Sequence, residues 1–370
     1  MLRKTYKMTS VLLVCILTVL SIYIPTFAAQ ENKISSQNCY MASSVCPEEY
    51  KNFAEENVAG FVLSIDDNLQ YNTVAIGTPF SFATLDADVY YFPIICDGVI
   101  SYLFRVYPYN DGFCGAITDF LAEDIENLSS FTTPENPLYL RLVGSKIVAF
   151  IGENEYLLFE YPENMCQLEN ESVAYSDTFE AFTIVNAKYS TEISLDLHTP
   201  MMTSNSQRAS ITWLDKSEQQ GNNSWCAAYC LASIIRTRTT YKNVYAVNCM
   251  RDALGTTPTA NDSFPREKMV SVASKYGLHP TVTESLVADY ILYDQIEAGR
   301  PIIQSMLSFG GRNSHAVVLM GYNLINSTWG IWNPWFKSFE WYSMSGTYIP
   351  TGYPGTNDNT YLQYRFVYNF

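Results

Sequence analysis

The sequence predicts an α+β protein, in which a mainly antiparallel β region precedes a region of helices followed by strands. Three observations predict this. Up to about residue 208, runs of β-branched and aromatic residues alternate with turn signals. Beyond it, helical patterns come before strand patterns. The charge also changes there, because residues 30–208 have 26 acidic and 7 basic residues, a net charge of −19, whereas residues 209–370 have 11 and 12, a net charge of +1.

Residues 1–29 predict a secretion signal. A basic start precedes the apolar run from Val11 to Ile24, and small residues around Ala28 offer a cleavage site. The apolar run is shorter than a membrane span, so we expect a secreted, extracellular product with no membrane association after signal removal. An uncleaved anchor is the alternative. The predicted domains are therefore an acidic α+β domain at 30–208 and a second domain at 209–370.

The acidic domain is predicted to be mostly strands with two helices. Patterns of β-branched and aromatic residues predict strands within residues 72–85, 89–109, 137–152 and 155–162. Helical patterns lie near Pro47 to Val58 and at Ala116 to Leu128. A polar stretch from about His198 to Ser217 then predicts a loop or linker.

The second domain begins with three predicted helices, at Trp225 to Thr237, Pro265 to Tyr276 and Val287 to Ala298. Gly277 and Gly299 follow the last two and are typical of helix ends. Strands are predicted at 301–307, 315–322 and 328–333. This order predicts a helical half that faces an antiparallel-sheet half.

Composition argues against nucleic acid as a partner. No Lys/Arg-rich stripe is available to neutralise phosphates, so we expect no nucleic-acid binding. The cysteines show no CxxC metal pattern, and the thiol chemistry considered below would need no metal and no organic cofactor. Eight cysteines remain after signal removal, and if one is a working thiol, at least one more cannot pair within the chain.

The stretch "EQQGNNSWCAAYCLASII" places Cys226 at the start of an apolar helix. Asn222, Asn223 and Ser224 are N-cap candidates, so the thiol is expected beside orphan N–H groups and the positive end of the helix dipole. That position lowers a thiol pKa and favours the reactive thiolate. A plain core cysteine is an equally weighted alternative.

A thiol nucleophile needs a base, and the second domain has two histidines, His279 and His315. His279 follows a predicted helix, in what looks like a loop, and this position indicates a surface or packing role. His315 begins the apolar run "HAVVLMGY" at an expected strand mouth. Asn333 in "IWNPW" offers an amide oxygen that would accept its Nδ1–H, with Trp332 and Trp335 shielding the bond from water. Taken singly, a core histidine and a turn asparagine are the simpler interpretations.

Gln220 precedes Cys226 by six residues in the polar loop. Its side-chain amide, together with the Cys226 backbone N–H, could stabilise the oxyanion formed in acyl transfer. Gln219 is the second candidate for this role.

Together these residues resemble the papain clan of cysteine peptidases, in which Gln, Cys, His and Asn follow in this order and a Trp lies two residues beyond the Asn. Within the clan, the Cys226-to-His315 interval of 89 residues and the segments "WCAAY", "IWNPW" and "WYS" resemble the staphopains, secreted peptidases of Gram-positive bacteria. The likeness covers about residues 210–348. Cys230 departs from the family pattern, and a disulfide with Cys249 is one possibility for it.

The resemblance implies a papain-like catalytic domain at 209–370 and a monomeric, secreted endopeptidase made as a zymogen. Cys226 would be the nucleophile, His315 the base, Asn333 its orienting residue and Gln220 the oxyanion donor, with Trp335 in support. The substrate would be a protein or peptide chain. Residues 30–208 would be an inhibitory propeptide, released by a cut near residues 207–209.

Other functions stay open at this point. Residues 30–208 could be a permanently attached binding domain. A cell-wall peptide hydrolase would share the export signal and the thiol, and activity on casein against peptidoglycan would separate the two. A transglutaminase-like acyl transferase commonly has Asp as its third residue, and a non-catalytic surface-binding protein would show no special thiol reactivity.

Overall fold

A computed structural model gives the architecture of the chain, and its described residues, from 37 onward, belong to the second of two contact units. The predicted signal segment, residues 1–29, lies outside the described residues. Among the described residues, no helix is both long enough and apolar enough to cross a membrane. The structure describes residues 37–65, 71–82, 89–109, 112–144, 146–160, 182–193, 195, 207–308, 314–325, 327–343, 348–350 and 360–370.

The described residues up to 193 form two helices, α1 (Glu48–Ile65) and α2 (Ala122–Ser129). The strands of this part are β1 (Tyr40–Ser43), β2 (Val74–Gly77), β3 (Tyr90–Cys96), β4 (Val99–Tyr109), β5 (Gly112–Thr118), β6 (Leu138–Val143), β7 (Lys146–Ile151), β8 (Asn154–Glu160), β9 (Thr183–Asn186) and β10 (Ser190–Glu192).

The described residues from 207 onward begin with a short strand and continue through four α-helices before most of the remaining strands. The helices are α3 (Cys226–Arg238), α4 (Ala246–Leu254), α5 (Met269–Lys275) and α6 (Asp289–Glu297). The strands are β11 (Arg208–Ser210), β12 (Thr281–Thr283), β13 (Ile302–Ser308), β14 (Ser314–Asn323), β15 (Thr328–Asn333), β16 (Ser338–Ser343), β17 (Tyr348–Pro350) and β18 (Thr360–Tyr368).

The described strands build two sheets, and together with the helices they confirm the predicted α+β class. One sheet has five strands in the order β8-β7-β6-β1-β9. The other has 13 strands in the order β10-β2-β3-β4-β5-β16-β15-β14-β13-β18-β12, with β11 and β17 attached to β14 and β18. Neighbouring strands of this large sheet are antiparallel throughout the described pairings.

The two predicted domains share this large sheet. Strand β5 pairs with β16, with Ile117 opposite Trp341. Trp341 is buried in a hydrophobic cluster that otherwise consists of residues before 196, apart from the partly buried Phe339. Trp335 and Phe336 are likewise buried in a second hydrophobic cluster, whose other buried residues lie between Cys39 and Ala187. The packing is therefore continuous across residue 208. The predicted boundary there stays a prediction about where the chain is cut.

Strand pairing corrects two predictions, one for a helix in the first predicted domain and one for the linker near residue 208. The helix predicted at Ala116 to Leu128 begins only at Ala122, because Gly112–Thr118 form β5 between β4 and β16. Tertiary pairing outweighs the local helical pattern there. The predicted linker likewise contains β11, in which Arg208–Ser210 pair with β14. A cut near 207–209 would therefore fall on a hydrogen-bonded strand.

The helices after residue 220 follow the prediction with one omission. Helix α3 differs from the predicted span by one residue at each end, and every residue from Ala228 to Arg236 is buried. Gly277 and Gly299 follow α5 and α6 with φ of 79° and 65°, the left-handed conformation that glycine adopts without strain. The sequence interpretation missed α4, although Gly255 at φ 73° marks its end.

Candidate active site

Cys226 is the first residue of α3, as predicted, but the helix is capped differently. Trp225 is the N-cap residue and makes no side-chain cap hydrogen bond. The Asn223 side-chain oxygen accepts from the Trp225 N–H at 3.1 Å, and the Ser224 N–H donates to the Ala260 oxygen at 3.0 Å. The prediction that Asn222, Asn223 or Ser224 caps the helix is therefore wrong. The Trp225 oxygen accepts from the N–H groups of Ala228 and Tyr229 at 2.8 and 3.0 Å, which closes the first turn of α3.

The pKa of the Cys226 thiol is raised in the intact chain, opposite to the prediction. Burial raises it, and the backbone N–H groups of Ala316, Ala227 and Cys226 itself act in the lowering direction. The helix start thus has the predicted effect, but the low-dielectric surroundings outweigh it because they disfavour the charged thiolate. Burial therefore favours the neutral thiol in this form of the chain.

His315 lies near the start of β14, is 2% exposed and bonds to Asn333 at the end of β15. Its Nε2 atom is 2.9 Å from the Asn333 Oδ1 atom. An amide oxygen can only accept, so Nε2 donates and Nδ1 carries the free lone pair. The predicted Nδ1 donor is therefore wrong, because the ring is turned so that Nδ1 faces away from Asn333. Burial lowers the pKa of His315 to about 3, against the raising effect of the Asn333 bond.

Trp335 covers the imidazole of His315. The two rings are stacked, with centroids 3.3 Å apart and planes 7° apart. The Trp335 backbone N–H also donates to Asn333 Oδ1 at 3.1 Å, which holds the amide in the orientation that accepts from His315. Trp332 is fully buried but pairs with Val318, on the opposite face of the sheet from His315. The shielding role therefore falls to Trp335 alone of the two predicted tryptophans.

The loop with Gln219 and Gln220 is tied to the turn after Asn333. The Gln220 backbone N–H donates to the Pro334 oxygen at 2.9 Å, and Gln219 Nε2 donates to the Trp335 oxygen at 3.1 Å. Gln220 Nε2 donates to the Asn223 oxygen at 2.7 Å. A primary amide has two N–H donors, so the second remains available to a ligand.

Cys226 and His315 are linked through Ala316. Ala316 follows His315 in β14, and its backbone oxygen accepts from Cys230, one helical turn after Cys226, at 3.3 Å. The Ala316 backbone N–H also acts on the Cys226 thiol, whose pKa it lowers. Together with the His315–Asn333 bond and the Gln220–Pro334 bond, this contact brings all four predicted site residues into one region. His279 is not part of it, since its Nδ1 contacts the Ser274 hydroxyl on the helical side.

A buried arginine supports the loop and was missed in the sequence interpretation. Arg236 of α3 is 2% exposed, and its guanidinium bonds to Glu218 at 2.5 Å and to Asp215 at 3.1 Å. Both carboxylates lie just before Gln219, so the ion pairs hold the loop against α3. The available signal was a charged residue that directly follows the apolar residues Ile234 and Ile235.

Comparison with known proteins finds similarity to cysteine peptidases. Residues 210–356 match the model of the Peptidase C39-like family. Staphopain A sequences from Staphylococcus aureus strains MSSA476 and MRSA252 are 21% and 22% identical, over 88% of this chain and 88% of each relative. These matches support a cysteine peptidase.

Among solved structures, Xylellain, a cysteine protease from Xylella fastidiosa, is similar at a TM-score of 0.29 and 13% identity. That match covers 45% of this chain and 87% of Xylellain.

Within the described residues, no three His, Cys, Asp or Glu side chains are grouped as metal ligands would be.

Proposed function

We propose that the chain is a secreted cysteine endopeptidase of papain-like arrangement, made as a zymogen, in which Cys226, His315 and Asn333 hydrolyse peptide bonds. The observation that carries this proposal is the His315–Asn333 hydrogen bond at 2.9 Å beneath the Trp335 ring. That bond fixes one tautomer, with its Nδ1 lone pair free to accept a proton from a thiol. The staphopain similarity and the family match support the same chemistry.

The proposed reaction begins when His315 Nδ1 takes the Cys226 proton and the sulfur attacks the scissile carbonyl carbon. The oxyanion is stabilised by the free Gln220 side-chain N–H and by the Cys226 backbone N–H. Collapse of this intermediate breaks the C–N bond, and the imidazolium gives its proton to the leaving amine. Water, deprotonated by the same imidazole, then hydrolyses the thioester and restores the thiol. Asn333 stabilises the imidazolium by accepting its Nε2–H in each step.

Burial of the site supports the zymogen part of the proposal. It raises the pKa of the Cys226 thiol and lowers that of His315, so the neutral pair is favoured over thiolate and imidazolium. Trp335, stacked on His315, packs in a cluster of residues 39–187 together with its neighbour Phe336. Removal of residues 30–208 would expose Trp335 to water, and both pKa values would move towards the range in which the ion pair forms.

The test is labelling with an epoxysuccinyl thiol reagent, followed by peptide mapping of the intact protein and of a form cut at an engineered protease site in residues 201–206. We expect modification of Cys226 only in the cut form, and none in a cut Cys226→Ser variant. Labelling of the intact protein would contradict the latency. No labelling of either form would contradict the peptidase assignment itself.

The oxyanion role of Gln220 gives a separate expectation. Gln220→Ala should lower kcat on a peptide substrate by about 10²–10³-fold, because one prearranged donor to the oxyanion is lost. The matched control is Gln219→Ala, which removes only the bond to the Trp335 carbonyl and should change kcat by about fivefold or less. Equal losses in the two variants would contradict the assignment of Gln220 as the donor.

A further inference from the structure

A second thiol lies one helical turn from Cys226. Cys230 is fully buried in α3, and its S–H donates to the Ala316 backbone oxygen at 3.3 Å. The Ala316 backbone N–H also acts on the Cys226 thiol, whose pKa it lowers. In a strand, the N–H and C=O of one residue point to the same side. Both sulfurs therefore lie against the same edge of the same residue.

The spacing of the two cysteines suits a disulfide. Cα atoms four residues apart in an α-helix are separated by about 6 Å, and disulfides span Cα separations of about 4.4–6.8 Å. The Cβ atoms must approach by about 1–2 Å from their helical separation. Because Cys226 is the first residue of α3 and Trp225 makes no side-chain cap bond, this shift is confined to the first turn.

No other described cysteine competes closely for this role. Cys230 and Cys249, considered above as a disulfide, are both free and buried. Cys249 lies in α4, outside the Ala316 contact. The remaining described cysteines belong to the N-terminal part, namely Cys39, Cys46, Cys96 and Cys114. Cys230 is thus the thiol that lies in the same helix as Cys226, one turn away, and also contacts Ala316.

We propose that Cys230 is a resolving thiol, which converts an oxidised Cys226 into a reducible Cys226–Cys230 disulfide. The inference rests on the proposed function, because it requires a nucleophilic Cys226. The oxidant is hydrogen peroxide. The Cys226 thiolate attacks one peroxide oxygen, the O–O bond breaks, and sulfenic acid and hydroxide form; sulfur loses two electrons and the peroxide gains them. The Cys230 sulfur then attacks the sulfenic sulfur, the S–OH bond breaks, and the thiol proton leaves with the hydroxyl as water.

The consequence is protection of the proposed nucleophile. A sulfenic acid left without a neighbouring thiol is oxidised further to sulfinic acid, which ordinary thiol reductants do not reverse. The disulfide instead returns to two thiols when a dithiol reductant supplies two electrons. The pair therefore makes oxidative inactivation reversible in an extracellular setting.

The test is peroxide treatment of the linker-cut protein, both fragments present, with mass analysis of the tryptic peptide 217–236, which contains both cysteines. In the wild type we expect a peptide two hydrogens lighter, which dithiothreitol restores. In Cys230→Ser, which keeps a hydroxyl for the Ala316 oxygen, we expect about tenfold less restored Cys226 and a peptide two oxygens heavier. The matched control Cys249→Ala should behave as the wild type.

The outcomes separate this inference from the proposed function. If the epoxysuccinyl reagent labels Cys226 but peroxide converts the wild type and Cys230→Ser to sulfinic acid equally, the resolving role is wrong and the peptidase assignment stands. If neither the reagent nor peroxide modifies Cys226, both are wrong. A disulfide that joins Cys230 to Cys249 would also overturn the pairing.

Discussion

Replacing Cys226 with alanine is expected to lower kcat/KM for peptide hydrolysis by about 10⁴–10⁶-fold. The variant removes the only atom that forms the thioester, and His315 and Asn333 have no separate route to that intermediate. The measurement is kcat/KM of the linker-cut protein on casein-derived peptides. The fold should be unchanged, because Cys226 is only partly buried and alanine is a good helix former.

The control for this result is Cys249→Ala. It removes a fully buried thiol from the same hydrophobic cluster, so it reports the effect of losing a sulfur atom without touching the site. We expect it to keep wild-type activity at some cost in unfolding free energy. Comparable activity of Cys226→Ala and the wild type would contradict the nucleophile assignment.

Replacing Glu340 with glutamine is expected to destabilise the full chain by about 3–5 kcal/mol. Glu340 of β16 forms an ion pair with Arg105 of β4, and the two side chains are 2% and 1% exposed. The variant removes the carboxylate that is paired with the buried guanidinium of Arg105, and the loss of this charge pairing in a desolvated site is the source of the cost. Equilibrium unfolding in urea measures the change in free energy.

Two further variants test this explanation. The double variant Arg105→Met with Glu340→Leu removes both charges and should recover most of the lost stability, because apolar residues of similar volume often replace a buried pair at little cost. Glu160→Gln breaks the exposed pair with Lys146 and should change the free energy of unfolding by about 0.5 kcal/mol or less. A loss below about 1 kcal/mol in Glu340→Gln would contradict the argument.

The Arg105–Glu340 pair also bears on processing. It joins the two predicted domains inside one sheet, beside the β5–β16 pairing and the buried Trp341. Separation of residues 30–208 would break the Arg105–Glu340 pair and remove β5 from the edge of β16. After a cut in the linker these contacts act between two separate fragments, so the N-terminal part can dissociate and bind again, and the site is exposed while it is dissociated.

Periodicity predicted most helices and strands of the second half well, because α3, β14 and β15 have clear apolar patterns of their own. It failed where a segment owes its conformation to distant partners. Residues 116–118 have a helical pattern, yet they form the strand between β4 and β16. The helix α4 was missed because no prediction used Gly255 as its end.

The candidate site shows the same division between local and distant causes. The order and spacing of Gln220, Cys226, His315 and Asn333 were visible in the chain, and the structure brings them together. The ring nitrogen that faces Asn333 was predicted incorrectly, since sequence carries no information on the rotation of an imidazole. The supporting ion pairs of Arg236 were missed because their partners lie 18 and 21 residues away.

By itself, the sequence determined the α+β class, the contrast in charge at residue 208, and the placement of Cys226 at a helix start. These are local properties, set by composition, side-chain spacing and the hydrogen-bonding needs of a helix terminus. Only the tertiary structure decided that the two halves share one sheet, that Trp335 rather than Trp332 covers His315, and that burial reverses the direction of the Cys226 pKa shift. Those features depend on which distant residues exclude water from a site, and exclusion of water is a property of the packed chain.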